Sequence, residues 1–270
     1  MGKKGVCLVN KSKSRENYLL SLLASTGQVT TGETVKLLGV SEATARRLFT
    51  GLEKTGKVIR NYGGIQLAGS VFDYSFEKSR QAHTLEKKQI GELAASFVRD
   101  GDTIYLDCGT TAYQMTLSLS ERIARSEFTS LNIVTNSIVN VQAITPTARC
   151  RVVLVGREYN RNRQDFSGSL TEKYVSAFHF TKSFFGCDGL ATQMGFSSNQ
   201  LSISSLNTTV ISRTDVSFVL MDASKYGKCS LVTYADIGEI GGIISNAAPP
   251  ENIAAELHEK GVPVHLAENA

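Results

Sequence analysis

One short run of residues has the composition of an anion-binding loop. The run Asp107-Cys108-Gly109-Thr110-Thr111 follows the apolar segment 103–106 and precedes a predicted helix. A glycine and two hydroxyl residues at a helix start offer backbone N–H groups and side-chain donors to an anion, and the helix dipole adds to the attraction. The run therefore suits a phosphate group, although the same residues also fit an ordinary strand–helix turn capped by a threonine.

Four further predicted strands end on small, polar or charged residues. The strands lead into Thr135-Asn136-Ser137, Gly156, Gly186-Cys187-Asp188-Gly189 and Asp222-Ala223-Ser224-Lys225. In an open parallel sheet, a ligand lies outside the carboxyl ends of the strands. We therefore expect these strand ends to meet in one crevice.

The side chains at these strand ends suit a phosphorylated sugar. Lys225 would supply a positive charge for the phosphate, and Asp107 and Asp188 could accept hydrogen bonds from sugar hydroxyls. The predicted ligand site comprises Asp107, Gly109, Thr110, Thr111, Thr135, Asn136, Ser137, Gly156, Asp188, Gly189 and Lys225.

A second set of residues, near the start of the chain, has the pattern of three short helices. Leucines at helical spacing predict the first over about 15–25. In the second, Thr30-Thr31-Gly32-Glu33 fits a capping box and Gly39 ends the helix. Ser41 can cap the third helix. The predicted buried face of this third helix consists of Ala45, Leu48 and Leu52.

The exposed face of the third helix could read DNA. A helix in the major groove must offer donors near its amino-terminal end, and arginine matches the two acceptors of guanine. Arg46 and Arg47 are the leading candidates. Alternating residues around Gly63-Gly64 then predict a β-hairpin, or wing, that could touch phosphates. The predicted DNA-binding residues are Ser41, Glu42, Thr44, Arg46, Arg47, Lys57, Arg60 and Asn61.

Charge is unevenly distributed along the chain. Residues 1–70 carry 11 lysines and arginines against 4 glutamates, whereas residues 71–270 carry 18 basic against 21 acidic residues. A basic amino-terminal part followed by a mildly acidic larger part suits a nucleic-acid-binding module joined to a second domain. The four lysines before residue 14 could also belong to a purification tail, but residues 15–70 alone keep a net charge of +3.

The composition excludes several classes of protein. With 270 residues, 41% hydrophobic and 20% charged, the chain should fold into one or two domains. It has no stretch near the roughly 20 apolar residues of a membrane helix and no signal-peptide core, so we place the protein in the cytoplasm. The five cysteines and four histidines are scattered. We therefore predict no disulfide framework, metal site or cofactor.

The predicted elements divide the chain into four parts. These parts are a basic tail over 1–14, a winged helix-turn-helix over 15–68, a linker over 69–84 and an α/β domain over 85–270. Strands that alternate with helices in the last part predict a mostly parallel sheet.

Both predicted domains resemble those of the DeoR family of bacterial sugar-metabolism regulators. In the first domain, the matching residues run from Val40 to Arg47 and continue with Leu52-Glu53, Gly56, Arg60 and Gly63-Gly64. In the second, they are Asp107-x-Gly109-Thr110-Thr111, Val134-Thr135-Asn136-Ser137, Gly186-x-Asp188-Gly189 and Asp222-x-Ser224-Lys225-Tyr226-Gly227. The resemblance implies a sensor domain with a fold like that of ribose-5-phosphate isomerase and a phosphorylated sugar as effector. It also implies a homodimer or homotetramer, and a repressor that the effector releases from its DNA operator.

The chain departs from the family pattern at four places. Leu48 stands where the family usually has an aspartate, and Gly156-Arg157 replaces a glycine pair. The stretch 199–206 lacks a usual acidic residue, and Ser245-Asn246-Ala247 stands in place of a threonine-aspartate. Leucine at 48 suits the buried face of the helix. Near the crevice, three loop arginines could favour a strongly anionic ligand, namely Arg157, Arg161 and Arg163.

Two other functions stay open at this point. A sugar-phosphate isomerase would also need a phosphate-binding loop and a carboxylate base, for which Asp107 or Asp188 could serve. The DNA-binding head argues against an enzyme, and we predict none. Alternatively, the large domain could only oligomerise a DNA-binding protein that has no effector.

Overall fold

The chain is organised as two units, Met1–Tyr74 and Ser75–Ala270. The computed structural model describes residues 15–16, 18–20, 22–23, 28–55, 58–61, 63–67, 74–144, 147 and 149–267. Among the helices in these ranges, none has the length and apolar character to span a membrane.

The first unit is a helix-turn-helix with a wing. Residues 15–16, 18–20 and 22–23 are helical. The elements that follow are β1 (Gln28–Thr30), α1 (Thr31–Leu38), α2 (Glu42–Lys54), β2 (Val58–Asn61) and β3 (Gly64–Leu67). The three strands form an antiparallel sheet in the order β1-β3-β2. Strand β1 was not predicted, because three residues are too few for an alternating pattern to be recognised.

The predicted caps of α1 and α2 are confirmed. The Thr30 hydroxyl accepts a hydrogen bond from Glu33 N at 3.1 Å, and the Glu33 carboxylate accepts one from Thr30 N at 2.8 Å. Gly39 ends α1 in the left-handed conformation, with φ of 59°. The Ser41 hydroxyl accepts a hydrogen bond from Thr44 N at 3.3 Å and caps α2. Leu48, where the chain departs from the family pattern, is 7% exposed. It therefore lies on the buried face of α2, as predicted.

The two glycines of the wing have different structural roles. Gly63 lies in the turn between β2 and β3 with φ of 103°, whereas Gly64 already belongs to β3 and pairs with Asn61. A β-carbon on Gly64 would lie 2.3 Å from the carbonyl oxygen of Val29 in β1. The carbonyl oxygen of Gly63 accepts hydrogen bonds from both the backbone N–H and the hydroxyl of Thr31, at 2.7 and 2.9 Å. The wing is therefore attached to the start of α1.

Gly64→Ala is expected to destabilise the first unit, whereas Gly32→Ala is expected to stabilise it. The first substitution forces a methyl group against backbone atoms of β1 and should lower the free energy of unfolding by about 1–3 kcal/mol. Around Gly32, in α1, nothing lies within 4 Å of a built β-carbon. Alanine in place of Gly32 should raise the free energy of unfolding by about 0.5–1 kcal/mol. Amide exchange over 28–67 in the full chain measures both changes, and equal effects of the two variants would contradict the prediction.

The second unit contains a large parallel sheet. In chain order, its strands are β4 (Thr103–Leu106), β5 (Leu131–Thr135), β6 (Cys150–Leu154), β7 (Glu158–Asn160), β8 (Asp165–Ser167), β9 (Phe180–Gly186), β10 (Gly189–Ala191), β11 (Gly195–Ser198), β12 (Thr214–Met221), β13 (Val232–Ala235), β14 (Gly242–Ser245) and β15 (Val264–Leu266). Seven of them form one sheet in the order β15-β14-β12-β9-β4-β5-β6, with every neighbouring pair parallel. Two smaller antiparallel sheets, β10-β11-β13 and β7-β8, lie outside it.

Seven α-helices accompany these strands in the described part of the second unit. They are α3 (Phe76–Gln81), α4 (Thr84–Ser96), α5 (Thr110–Ala124), α6 (Ile138–Ala143), α7 (Ser169–Val175), α8 (Leu201–Ile211) and α9 (Glu251–Glu259). Two 3-10 turns, Ala223–Lys225 and Ile237–Glu239, follow β12 and β13. A large apolar cluster, which includes Ile90, Met115, Leu106 and Phe184, joins α4 and α5 to the sheet. Helix α3 lies inside the predicted linker 69–84, and the predicted domain boundaries themselves stay a prediction.

The strand order reverses between β4 and β9. From β4 the chain proceeds outward through β5 and β6 on one side, and from β9 through β12, β14 and β15 on the other. The connections on the two sides therefore diverge at the carboxyl ends of β4 and β9, which is the topological switch point where open α/β sheets form a crevice.

At the opposite edge of the sheet, a buried ion pair links the starts of β4 and β9. Lys182 Nζ donates to both oxygens of Asp102, at 2.8 and 2.7 Å. Burial opposes ionisation of Asp102, but hydrogen bonds from Lys182, Arg99 and Thr181 and the charge of Lys182 outweigh it, so its pKa lies below the ordinary value.

The Asp102 pair is expected to make stability depend on pH in the acid range. A carboxyl whose pKa is lowered by folding stabilises the protein above its unfolded pKa of about 3.9, and this stabilisation is lost as the pH falls through the lower native pKa. The free energy of unfolding should therefore fall below about pH 4. Asp102→Asn should be less stable at neutral pH and should show a shallower decline in acid denaturation. An acid decline identical to that of the parent protein would refute this assignment.

Candidate functional site

A hydrogen bond joins β4 and β9 at the switch point. Gly186 N, at the end of β9, donates to Asp107 Oδ2 at 3.0 Å. Asp107 is 3% exposed. Burial raises the pKa of its carboxyl above the ordinary value, although hydrogen bonds from Gly186 and Cys108 oppose that shift. The Asp107 carboxyl therefore fixes the two strand ends relative to each other at the base of the predicted crevice.

The start of α5 has the features of an anion site. Gly109 is the residue before the helix, and no side chain caps the helix there. The first N–H groups of a helix have no acceptor within it. Thr110 and Thr111, the first two residues of the helix, are each 8% exposed. The backbone donors and the dipole of the helix start thus lie just after the carboxyl end of β4, three residues after Asp107.

The predicted site residues after β5 form an internal hydrogen-bond network. Thr135 Oγ1 donates to Leu106 O at 2.7 Å and accepts from Ser137 N at 3.1 Å and from Asn140 Nδ2 at 3.1 Å. Asn140 Nδ2 also donates to Asp107 O at 2.9 Å. These bonds fix the end of β5 against the end of β4.

Asn136 makes the same kind of internal contacts. Its Oδ1 accepts from the Tyr105 hydroxyl at 3.0 Å, and its Nδ2 donates to Phe166 O at 2.9 Å. Thr135, Asn136 and Ser137 all have 0% exposure. Thr135 and Asn136 thus position the loops around Asp107. Their predicted role as ligand contacts stays a prediction, as does that of Ser137.

Asp188 and Lys225 lie at the ends of the next two strands. Asp188 Oδ2 accepts from Asn199 N at 2.8 Å and from Ser198 Oγ at 3.4 Å. Lys225 ends the 3-10 turn after β12 and is partly exposed. Burial raises the pKa of Cys187 to about 12, and this thiol lies within electrostatic range of Lys225 and Asp188. The roles of Asp188 and Lys225 as ligand contacts stay predictions.

Two glycines of the predicted site are required by packing. A β-carbon on Gly156 would lie 2.1 Å from Cβ of Phe166, and one on Gly189 would lie 2.3 Å from the carbonyl oxygen of Lys228. Their roles as ligand contacts stay predictions.

A buried ion pair beside Cys108 was not anticipated. Arg163 Nε donates to Asp165 Oδ2 at 2.8 Å, and Arg163 Nη2 lies 3.7 Å from Cys108 Sγ. Arg163 is 8% exposed and Asp165 0%. Arg163 lies in the loop between β7 and β8, as predicted, but it is buried, whereas Arg157 and Arg161 are exposed. No sequence pattern marks the difference, since β7 and β8 have only three residues each.

The predicted DNA-reading face of α2 is exposed. Ser41, Glu42, Arg46 and Arg47 are all open to solvent. Arg46 Nη2 lies 3.8 Å from Glu42 Oε2, and both side chains are about two-thirds exposed or more, at 66% and 71%. Such a pair contributes little to stability and can open without significant cost. The Thr44 hydroxyl lies 3.0 Å from the Ser41 hydroxyl, next to the helix cap.

The wing residue Arg60 contacts α2. Its Nη1 donates to Thr50 Oγ1 at 3.1 Å and lies 3.9 Å from Glu53 Oε2. Arg60 therefore holds β2 against the second half of α2, a contact that the alternating pattern of the wing could not predict. Of the other predicted wing contacts, Lys57 and the side chain of Asn61 lie outside the described residues.

Two family models match this chain, one in each of its two parts. The family model of the DeoR-like helix-turn-helix domain matches residues 15–71, and that of the DeoR C terminal sensor domain matches residues 82–247. Ribose 5-phosphate isomerase A from Methanocaldococcus jannaschii is a similar solved structure, with a TM-score of 0.38 and 18% identity over 52% of this chain and 53% of that chain.

Several characterised regulators are similar over most of their length. The HTH-type transcriptional regulator IolR of Bacillus subtilis (strain 168) is 25% identical over 93% of this chain and 96% of its own. The lactose phosphotransferase system repressor of Staphylococcus epidermidis is 29% identical over 86% and 91%. The putative aga operon transcriptional repressor of Escherichia coli O157:H7 is 26% identical over 96% and 95%. This chain belongs to the DeoR family of transcriptional regulators, with a DNA-binding helix-turn-helix domain followed by a DeoR C-terminal sensor domain.

Proposed function

We propose that the protein is a cytoplasmic repressor of sugar-catabolism genes and that a phosphorylated sugar releases it from its operator. In this proposal α2 reads the operator through Arg46 and Arg47, and the carboxyl edge of the parallel sheet binds the sugar phosphate. The single observation that carries the sensing part is the uncapped start of α5 beside Asp107, at the switch point of a sheet whose edge also carries Lys225.

The residues along this edge could bind both the phosphate and the hydroxyl groups of a phosphorylated sugar. The N–H groups at Thr110 and Thr111 and the ammonium of Lys225 favour a dianion. The strands β4 and β12 are two positions apart in the sheet, or about 10 Å. The Asp107 and Asp188 carboxyls, near the ends of the strands β4 and β9, are acceptors for hydroxyl groups.

The names of relatives support repression and a link to carbohydrates. Two similar proteins are described as the lactose phosphotransferase system repressor and the putative aga operon transcriptional repressor. We extend repression and sugar control to this chain as part of the proposal. A homodimer or homotetramer completes it, because paired helix-turn-helix units read half-sites about one DNA turn apart.

A thermal-shift screen with paired ligands tests the sensing proposal. Each phosphorylated sugar is compared with the same sugar without its phosphate, because a ligand that binds only the folded state raises the melting temperature by mass action. We expect stabilisation by one or a few phosphorylated members and by none of their unphosphorylated partners. Equal responses within every pair would contradict a phosphate site.

A gel-shift titration then tests release from DNA. The operator is first selected from random duplexes with the full-length protein, and the stabilising sugar phosphate is added at fixed salt. We expect loss of the shifted band. Incubation with the same sugar phosphates also tests the isomerase alternative, since conversion of the ligand would show that the Asp107 edge is catalytic.

A further inference from the structure

Lys87 is a buried lysine that caps a helix. It lies in the first turn of α4 and is 6% exposed. Its Nζ donates to Ser79 O at 2.6 Å and to Ala82 O at 2.7 Å. Ala82 is the residue that ends α3, so the ammonium satisfies carbonyl groups at the carboxyl end of that helix.

Helix α4 packs against β12, and it runs from the carboxyl edge of the sheet, where its first turn carries Lys87, to the amino edge, where Asp102 lies. Burial lowers the pKa of Lys87, the charge of Asp222 opposes this shift, and the charge of Lys225 lowers the pKa further. Asp222 and Lys225 both belong to the turn after β12. A buried cation is thus held within electrostatic range of the cation that we assign to the effector phosphate, and the two repel each other.

The other end of α3 is attached to two neighbouring parts of the sheet edge. Phe76 is 1% exposed, its N–H donates to Asn162 O at 2.8 Å, and its ring packs edge-on against Tyr113 of α5, with 5.6 Å between centroids. Gln164 Nε2 donates to Glu77 Oε1 at 3.3 Å. Helix α3 therefore bridges the first turn of α5, the loop before β8 and Lys87.

We propose that Lys87 couples the effector site to α3, so that an anion bound beside Lys225 tightens the hold of Lys87 on the end of this helix. The inference rests on the proposed function. An ammonium has three N–H donors, and the two carbonyls of α3 take two of them. An anion bound beside Lys225 offsets the repulsion between the two ammonium groups. Lys87 keeps its hydrogen bonds to both carbonyls of α3 when this anion binds. Helix α3 begins two residues after Tyr74, where the first unit ends, so stiffening it changes the segment through which the two units are connected.

Amide hydrogen exchange of the full chain, with and without inorganic phosphate, tests the coupling. In the parent protein, phosphate should slow exchange over 76–83 by about tenfold or more. Lys87→Met should exchange faster over 76–83 without phosphate and should not respond to it there. Lys88→Met is the matched control, because Lys88 is its exposed neighbour with a side chain 64% exposed. This control should respond like the parent protein.

Four outcomes of this experiment decide the inference. A phosphate response over 76–83 that persists in folded Lys87→Met overturns it. Phosphate that raises the melting temperature of the parent protein but leaves 76–83 unchanged overturns the coupling alone, and the proposed function stands. No stabilisation by phosphate or by any phosphorylated sugar overturns both. Restoration of the response by Lys87→Arg supports the coupling, because that variant keeps the cation.

Discussion

Lys225→Ala is expected to retain normal operator affinity and to lose the response to the phosphorylated sugar. The substitution removes an ammonium from the edge of the sensor sheet and changes no residue of the helix-turn-helix unit. A hydrogen bond to a charged group contributes about 1.5–3 kcal/mol, so the effector concentration needed for release should rise about 10- to 100-fold. Gel-shift titrations of the two proteins at one salt concentration measure this ratio.

Lys228→Ala provides the matched control. Lys228 lies three residues further along the same loop, is exposed and is outside the predicted site. Its removal changes the net charge of the sensor domain by the same amount, so it reports any non-specific electrostatic effect. If Lys225→Ala and Lys228→Ala respond to the effector alike, the assignment of Lys225 is wrong.

Alanine at both Arg46 and Arg47 is expected to abolish specific operator binding. An arginine that reaches a guanine contributes about 1–3 kcal/mol of discrimination, or about 5- to 150-fold in Kd. The double variant should lose at least the larger of the two contributions, because the effects of neighbouring residues do not simply add. Among the described residues, the Arg46 side chain forms an exposed ion pair with Glu42, which can open so that Arg46 turns to DNA without a significant cost. Because both side chains are exposed, thermal unfolding should be unchanged.

Lys54→Ala is the control that separates base-specific recognition from sequence-independent electrostatic binding to DNA. Lys54 is exposed, belongs to the same helix and lies in its last turn, away from the reading end. The control should weaken specific and non-specific binding together and reduce the salt dependence of binding slightly. If the double arginine variant lowers affinity for operator and random duplex equally, the arginines contact phosphates and do not read bases.

Short-range signals in the sequence were enough to predict the DNA-binding unit. The caps at Thr30 and Ser41 and the stop at Gly39 all depend on residues within four positions of one another. The mixed α/β fold and the strand ends that carry Asp107 and Asp188 were predicted for the same reason, whereas the DeoR family was predicted from the resemblance of motifs in both domains. Each strand end combines an apolar run with a glycine or polar residue directly after it.

Contacts between distant parts of the chain could not be predicted in this way. Lys87 occurs in an ordinary charged stretch, and its hydrogen bonds depend on where α3 ends. The charges of Asp222 and Lys225, which act on its pKa, come more than 130 residues later in the chain. The Arg163–Asp165 pair likewise depends on Cys108, 55 positions earlier. Neither arrangement changes hydrophobic periodicity, which is the main signal that a single sequence provides.

The attachment of the wing limits how this regulator can be controlled. Thr31, at the start of α1, donates two hydrogen bonds to the turn of the wing, and Arg60, in the wing, donates one to Thr50 of α2. Hydrogen bonds therefore connect the hairpin to both helices. In the function that we propose, an effector that acts from a distance would therefore leave the shape of each DNA-contacting surface intact. In the proposed dimer it would instead change the spacing between two such surfaces, and the effector-free protein should bind operators with altered half-site separation weakly.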